Sequence, residues 1–215
     1  MDRYQNREAA GKILALQLQE YADRKDVIVL ALPRGGVPVG YEIANELQVP
    51  LDVFIVRKLG VPGHHELAMG AIAIGGIKVL NHDIVTQLEI SDADIDAVVE
   101  QEETEIKRRL VTYRGSTPFP SLKNKTIILV DDGIATGATM KAAILSLRQM
   151  QPQNIIVAVP VADAYICEQL RKVADKVICP LQPTNLQAVG LWYEDFSQTD
   201  DAEVRQLLEE AGQPT

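Results

Sequence analysis

Three apolar runs carry no polar alternation: Val27-Ile28-Val29-Leu30-Ala31-Leu32, Ile127-Ile128-Leu129-Val130 and Ile155-Ile156-Val157-Ala158-Val159. A strand with one wet face would alternate with period two, so such runs belong to strands buried on both faces, the habit of parallel sheets. Segments with helical spacing separate them. The first runs from about Arg7 to Arg24, with Ala10, Ile13, Leu14, Leu18 and Tyr21 on one stripe. Others are expected over Val37 to Leu47, Ser91 to Tyr113, Gly137 to Met150, Asp163 to Val173 and Asp200 to Ala211. Leu51 to Val56 and Lys176 to Cys179 read as further strands. Strand–helix alternation implies right-handed βαβ units, so the expected class is α/β, a central and mainly parallel sheet flanked by helices. No internal repeat or low-complexity linker interrupts the 215 residues, which read as a single domain.

Composition excludes some partners. A formal charge of −9 is the opposite of a nucleic-acid footprint, which needs clustered Lys and Arg. No apolar stretch approaches the roughly 20 residues that span a bilayer, and the polar start Met1 to Glu8 does not open a signal peptide. A cytoplasmic location is the expectation. Cys167 and Cys179 lack CxxC spacing and read as buried free thiols.

Ligands of open α/β sheets sit beyond the carboxyl ends of the strands, so loops that follow strands are the informative ones. In the sharpest, Val130 ends a strand, Asp131-Asp132 follow, and Thr136-Gly137-Ala138-Thr139 opens a helix. Small residues at a helix start leave N–H groups free for an anion, and the helix dipole and threonine hydroxyls add to the attraction. Two adjacent carboxylates repel phosphate but suit sugar hydroxyls or a hydrated Mg²⁺. Phosphate at one end and hydroxyls at the other describe a pentose 5-phosphate; a strand-to-helix turn with an acidic cap is the plainer alternative.

The whole string Ile127 to Thr139 resembles the phosphoribosyl-diphosphate binding motif of the type I phosphoribosyltransferases: four apolar residues, two acids, two mostly apolar residues, a small residue, Thr, Gly, any residue, Thr. Gly133 departs mildly, since its place is usually aliphatic. The resemblance implies that Asp131 and Asp132 hold the ribose hydroxyls and attend Mg²⁺, while Ala135, Thr136, Gly137, Ala138 and Thr139 wrap the 5-phosphate. Leu32-Pro33-Arg34-Gly35-Gly36 follows the first strand, where this family places its diphosphate loop; Arg34, Gly35 and Gly36 would serve there. Val56-Arg57-Lys58-Leu59-Gly60-Val61-Pro62-Gly63 looks like a stretch of the adenine-type enzymes that starts a mobile lid. Arg57 and Lys58 would face the leaving diphosphate, and Lys58 to Met69 would form the lid loop, hinged at Gly60, Gly63 and Gly70. Ala71 to Ile74 and Ile77 to Leu80 flank Gly75-Gly76 as a β-hairpin.

The resemblance covers a core of about residues 27–160, with a hood or tail over about 180–215. It adds a small hood and a flexible β-hairpin lid to the fold, and implies a Mg²⁺-dependent transfer of ribose 5-phosphate from phosphoribosyl diphosphate to a base, as in nucleotide metabolism. Homodimers are common in such families. The acceptor base is unassigned: where 6-oxopurine enzymes carry an acid, this chain has Ala135. Trp192 is the candidate base platform of the hood, and Glu66 or the neighbouring His64 and His65 the candidate proton-transfer groups. The rival is a regulator that senses phosphoribosyl diphosphate with little or no catalysis.

Overall fold

A computed structural model describes residues 3–212. Five strands form one sheet in which every pairing is parallel: β1 (Val27–Ala31), β2 (Leu51–Val53), β6 (Thr126–Val130), β7 (Asn154–Ala158) and β8 (Lys176–Ile178), in the order β2-β1-β6-β7-β8. The unalternating runs are buried on both sides, as expected. Ile128 and Val130 point into one core with α1 (Arg7–Leu16), α2 (Gly36–Leu47), α4 (Asp92–Arg114) and α7 (Asp201–Ala211). Ile127 and Leu129 point into the other, with α5 (Ala138–Gln149) and α6 (Ala164–Leu170).

A second sheet is antiparallel, β3 (Val56–Val61), β4 (His64–Ala73) and β5 (Ile77–Leu80) in the order β3-β4-β5, and a short helix, α3 (His82–Gln87), follows it. This corrects two expectations. Leu51 to Val56 is not one strand: the chain leaves the parallel sheet after Val53, buries Phe54 and Ile55, and re-enters as β3. Lys58 to Met69 is not a loop but most of a hairpin, turning at Pro62-Gly63 between paired Val61 and His64. Gly63 sits at φ +79, which only glycine adopts readily, and Gly60 marks a register shift. The second turn holds three residues, Ile74 to Gly76, with Gly75 and Gly76 both at positive φ.

The first helix is also shorter than its apolar stripe. It ends at Leu16, and a 3₁₀ turn over Gln19–Tyr21 carries Leu18 and Tyr21 into the same core. The charged helix α4 begins where Ser91 caps it, its hydroxyl accepting the Asp94 N–H at 3.1 Å. Its carboxylates do not all pair along the helix. Glu103 meets Lys107 and Glu105 meets Arg108 and Arg109, but Glu102 reaches across to Arg57 of β3 at 2.7 Å. At the far end of α4, Arg114 forks onto both oxygens of Asp52 in β2 at 2.8 and 2.9 Å, with both side chains buried.

Residues from before α1 and after β8 meet in a third small cluster. Tyr4 bridges Tyr193, and Tyr4, Ala10, Val161, Leu186 and Tyr193 pack together with Val189 and Trp192 at their edge. This cluster joins the segment before α1 to the irregular stretch after β8, where the hood is expected, and is termed the hood. Both cysteines are buried free thiols. No helix of the described residues is long and apolar enough to cross a membrane.

Candidate functional site

In the order β2-β1-β6-β7-β8, the chain leaves β1 toward one edge and β6 toward the other. The crevice between their carboxyl ends is the switch point at which open α/β sheets bind ligands. Ala31 and Val130 are register partners there, and the Leu32 N–H donates to the Val130 carbonyl at 2.9 Å. The loops Leu32 to Gly36 and Asp131 to Gly137 therefore lie side by side.

Their closeness depends on missing side chains. A Cβ at Gly35 would lie 2.1 Å from Asp132 Oδ2, and one at Gly36 would lie 2.8 Å from the Val130 carbonyl. Gly137 stands at φ +79 before the first turn of α5, where a Cβ would meet Ile166 of α6 at 2.8 Å. The Lys141 N–H donating to the Gly137 carbonyl opens the helical ladder, so the amides of Thr139 and Met140 precede it and point outward. The Thr136 hydroxyl accepts the Ala138 N–H at 3.4 Å. Ala135, Thr136, Ala138 and Thr139 are exposed. Backbone donors, a dipole and two hydroxyls at one accessible turn make an anion seat.

The acidic pair is held firmly. Asp131 Oδ1 accepts the Asp132 N–H at 2.8 Å. Arg7 Nε and Nη2 both lie 2.9 Å from Asp132 Oδ2, and the Tyr193 hydroxyl donates to the Asp132 carbonyl at 2.6 Å. Burial pushes the Asp131 carboxyl well above the usual carboxylate range, and the Asp132 charge adds to this. Burial also raises Asp132, against the pull of Arg7. Burial likewise raises the Tyr193 phenol, which stays a donor.

Among the described residues no three His, Cys, Asp or Glu side chains converge as a metal cage. Mg²⁺ keeps several waters and takes much of its coordination from substrate phosphates. Two adjacent carboxylates therefore fit a Mg²⁺ that arrives with a phosphorylated ligand, although Oδ2 of Asp132 already faces a guanidinium.

The structure brings Gly35, Gly36, Asp131, Asp132 and the Ala135–Thr139 turn to one crevice. Lys58 lies apart from the acidic pair and the glycines: it lines a cavity of about 600 Å³ that touches this set only at Ala138, with Lys141 of α5 on the same wall. Other expected residues are engaged elsewhere. Arg34 faces Asp201 at the start of α7, 3.7 Å away. Arg57 is tied to Glu102. Glu66, His64 and His65 are exposed on the hairpin. The Trp192 indole N–H donates to the Leu186 carbonyl at 3.1 Å, inside the hood's own packing. Its neighbour Tyr193, the extended residue that follows the 3₁₀ turn Val189–Trp192, is the one that reaches the acidic pair.

Sequence reasoning missed Arg7; Tyr193 and Val189 lie in the stretch expected to form the hood, but their contacts with Asp132 and Gly133 were not foreseen. Arg7 had a signal. It is the first residue of α1, at the positive end of the helix dipole, where acids are favoured and a cation needs another reason to be.

Comparison with known proteins agrees with this geometry. Residues 1–195 match the family model for the phosphoribosyl transferase domain. Two curated relatives from Mycobacterium tuberculosis strains CDC 1551 and H37Rv, each provisionally named a phosphoribosyl transferase, are 43% identical over 211 residues, 98% of this chain. That match is 47% of their length, so the chain spans about half of these relatives. The crystal structure of TT1426 from Thermus thermophilus is 37% identical, with a TM-score of 0.86 over 97% of this chain and 98% of that one. The chain belongs to the phosphoribosyl transferase domain family.

Proposed function

We propose that this chain binds phosphoribosyl diphosphate with Mg²⁺ and transfers its ribose 5-phosphate to a nitrogen nucleophile, releasing diphosphate. The observation that carries the reading is the apposition of Gly35 and Gly36 to Asp131 and Asp132, beside the anion seat of α5. The 5-phosphate takes the Ala135–Thr139 turn, and Asp131 and Asp132 accept the ribose hydroxyls. The diphosphate lies along the Gly35 amide, the Gly36 N–H being donated to the Leu32 carbonyl at 3.1 Å, with Lys58 approaching from the hairpin and Arg34 turning in from Asp201. In the reaction the bond from C1 to the diphosphate oxygen breaks, its electron pair leaving with diphosphate. A bond from the acceptor nitrogen to C1 forms, and the acceptor proton passes to solvent or a nearby base. Bound Mg²⁺ supplies charge neutralisation for the diphosphate. Preorganised N–H donors and cations stabilise the growing negative charge, and the acidic pair faces the positive charge on the ribose. The β3–β4 hairpin, as lid, keeps water from the reacting carbon.

A second reading, a phosphoribosyl-diphosphate sensor with little catalysis, is favoured by Arg57 and Arg34 both being held by carboxylates in this state. One experiment separates the two. The protein, Mg²⁺ and phosphoribosyl diphosphate are incubated with a panel of purine and pyrimidine bases, and diphosphate release is followed. Release that depends on one base supports the transferase; saturable donor binding with no release above background across the panel supports the sensor.

A further inference from the structure

Arg7 makes little sense as a surface residue. Its cation sits on the first residue of α1, against the helix dipole, with 12% of its side chain exposed. A buried charge in an unfavourable field is retained where its partners are specific. Each edge of the guanidinium has such a partner. Nε and Nη2 fork onto Oδ2 of Asp132 at 2.9 Å, and Nη1 donates to the Ser197 carbonyl at 2.6 Å. Its flat face lies 4.0 Å from the centre of the Phe196 ring. A lysine could not make this set of contacts, because it lacks the planar fork.

The partners fall in two parts of the fold. Asp132 belongs to the crevice between β1 and β6; Phe196 and Ser197 belong to the hood strap that continues from Tyr193. That strap is itself fastened. Its Glu194 and Asp195 amides donate to the Tyr4 and Gln5 carbonyls, and Phe196 stacks against Tyr193 at 5.0 Å between ring centres. Tyr193 completes a loop of contacts by donating to the Asp132 carbonyl. The backbone and the carboxylate of Asp132 are thus both held by hood elements, one directly and one through Arg7.

We propose that Arg7 is a positioning residue for the ribose-hydroxyl site, fixing the Asp132 carboxylate and locking the hood strap to it. The proposal rests on the donor-binding reading above for its ligand, but the mechanical link between Arg7, Asp132 and the strap can be tested without ligand. Trp192, the chain's one tryptophan, precedes Tyr193 in the strap and reports on it by emission.

The test uses the full chain as wild type, R7K, R7M, D132N and R7M/D132N, each checked for a cooperative melt. Calorimetry with Mg²⁺ compares phosphoribosyl diphosphate with inorganic diphosphate, which has no ribose. R7M is expected to weaken phosphoribosyl diphosphate roughly 10- to 100-fold, the range expected when hydrogen bonds from the ribose hydroxyls to a charged carboxylate lose their fixed geometry. Inorganic diphosphate should stay within about twofold, R7K should recover part of the loss, and R7M/D132N should be no weaker than D132N. Without ligand, R7M and D132N should shift Trp192 emission alike. An unchanged affinity in R7M, equal losses for both ligands, or additive losses in the double variant would overturn the proposal. If the wild type binds no phosphoribosyl diphosphate, the donor reading fails on its own. The link is then judged by emission: a shift in R7M that D132N does not share overturns it, and a common shift sustains it.

Discussion

Val189 of the hood occupies the space that a side chain at Gly133 would need: a Cβ built on Gly133 would lie 2.4 Å from Val189 Cγ1 and 3.1 Å from Val161 Cγ1. The glycine that breaks the aliphatic pattern of the motif is the contact through which the hood closes on the loop after β6. Gly133→Ala should therefore displace the hood and destabilise the protein by about 1–3 kcal/mol, as overpacking does in close-packed interiors. Thermal melts check the size. Val189→Ala should restore part of the loss when combined with it, whereas full additivity would place the strain elsewhere.

Among the described residues Arg114 and Asp52 form the most deeply buried ion pair, with 7% and 3% of their side chains exposed. It fastens the end of α4 to β2, an edge strand of only three residues. Arg114→Met should cost about 3–5 kcal/mol, because it leaves Asp52 charged and unpaired in the interior. Arg114→Met/Asp52→Asn should recover part of that. Denaturant unfolding of the three proteins measures it, and a single variant as stable as wild type would contradict the account.

Arg57 is an anchor in this structure, since Glu102 of α4 holds it at 2.7 Å. If anchoring is its role, Glu102→Ala should speed amide exchange across β3 and β4 as much as Arg57→Ala does. Diphosphate affinity would fall only through the loosened hairpin. If Arg57 instead turns to the diphosphate, Arg57→Ala alone should weaken inorganic diphosphate, and Glu102→Ala should not. Hydrogen exchange and calorimetry on the same two variants separate these outcomes.

The Arg108 and Arg109 guanidiniums hold the Glu105 carboxyl down at about 2, from an ordinary 4.5. A depressed carboxyl stabilises the fold fully above its unfolded value and loses that contribution as pH falls from 4.5 toward 2. The group is partly exposed, so screening keeps the contribution below about 1 kcal/mol. The gap in melting temperature between wild type and Glu105→Gln should be open at neutral pH and close over that window. A gap that persists at the acid end would mean that Glu105 acts through packing.

The parallel sheet was legible because its strands are buried on both faces, and burial writes itself as unbroken apolar runs. The helix start at Ser91 was legible because capping is local chemistry. What stayed hidden were choices made by distant partners. Nothing near Val53 says that the strand must leave one sheet for another; that is set by Phe54 and Ile55 finding the core. The hairpin was read as a loop because its glycines and Pro62 look like breakers, yet Gly60 and Gly63 serve a register shift and a tight turn within a ladder. At the site, adjacency in the chain located the acidic pair and the anion turn. The residues that hold the pair, Arg7 and Tyr193, lie 125 and 61 positions away, a distance that motif spacing cannot bridge.

Calorimetric titration of phosphoribosyl diphosphate with Mg²⁺ into the wild type and into Asp131→Asn/Asp132→Asn tests the central claim most directly. The account predicts saturable one-to-one binding to the wild type, in the micromolar range or about −8 kcal/mol, and its loss in the double variant, which still melts cooperatively. No binding to the wild type, or equal binding to both proteins, would contradict it.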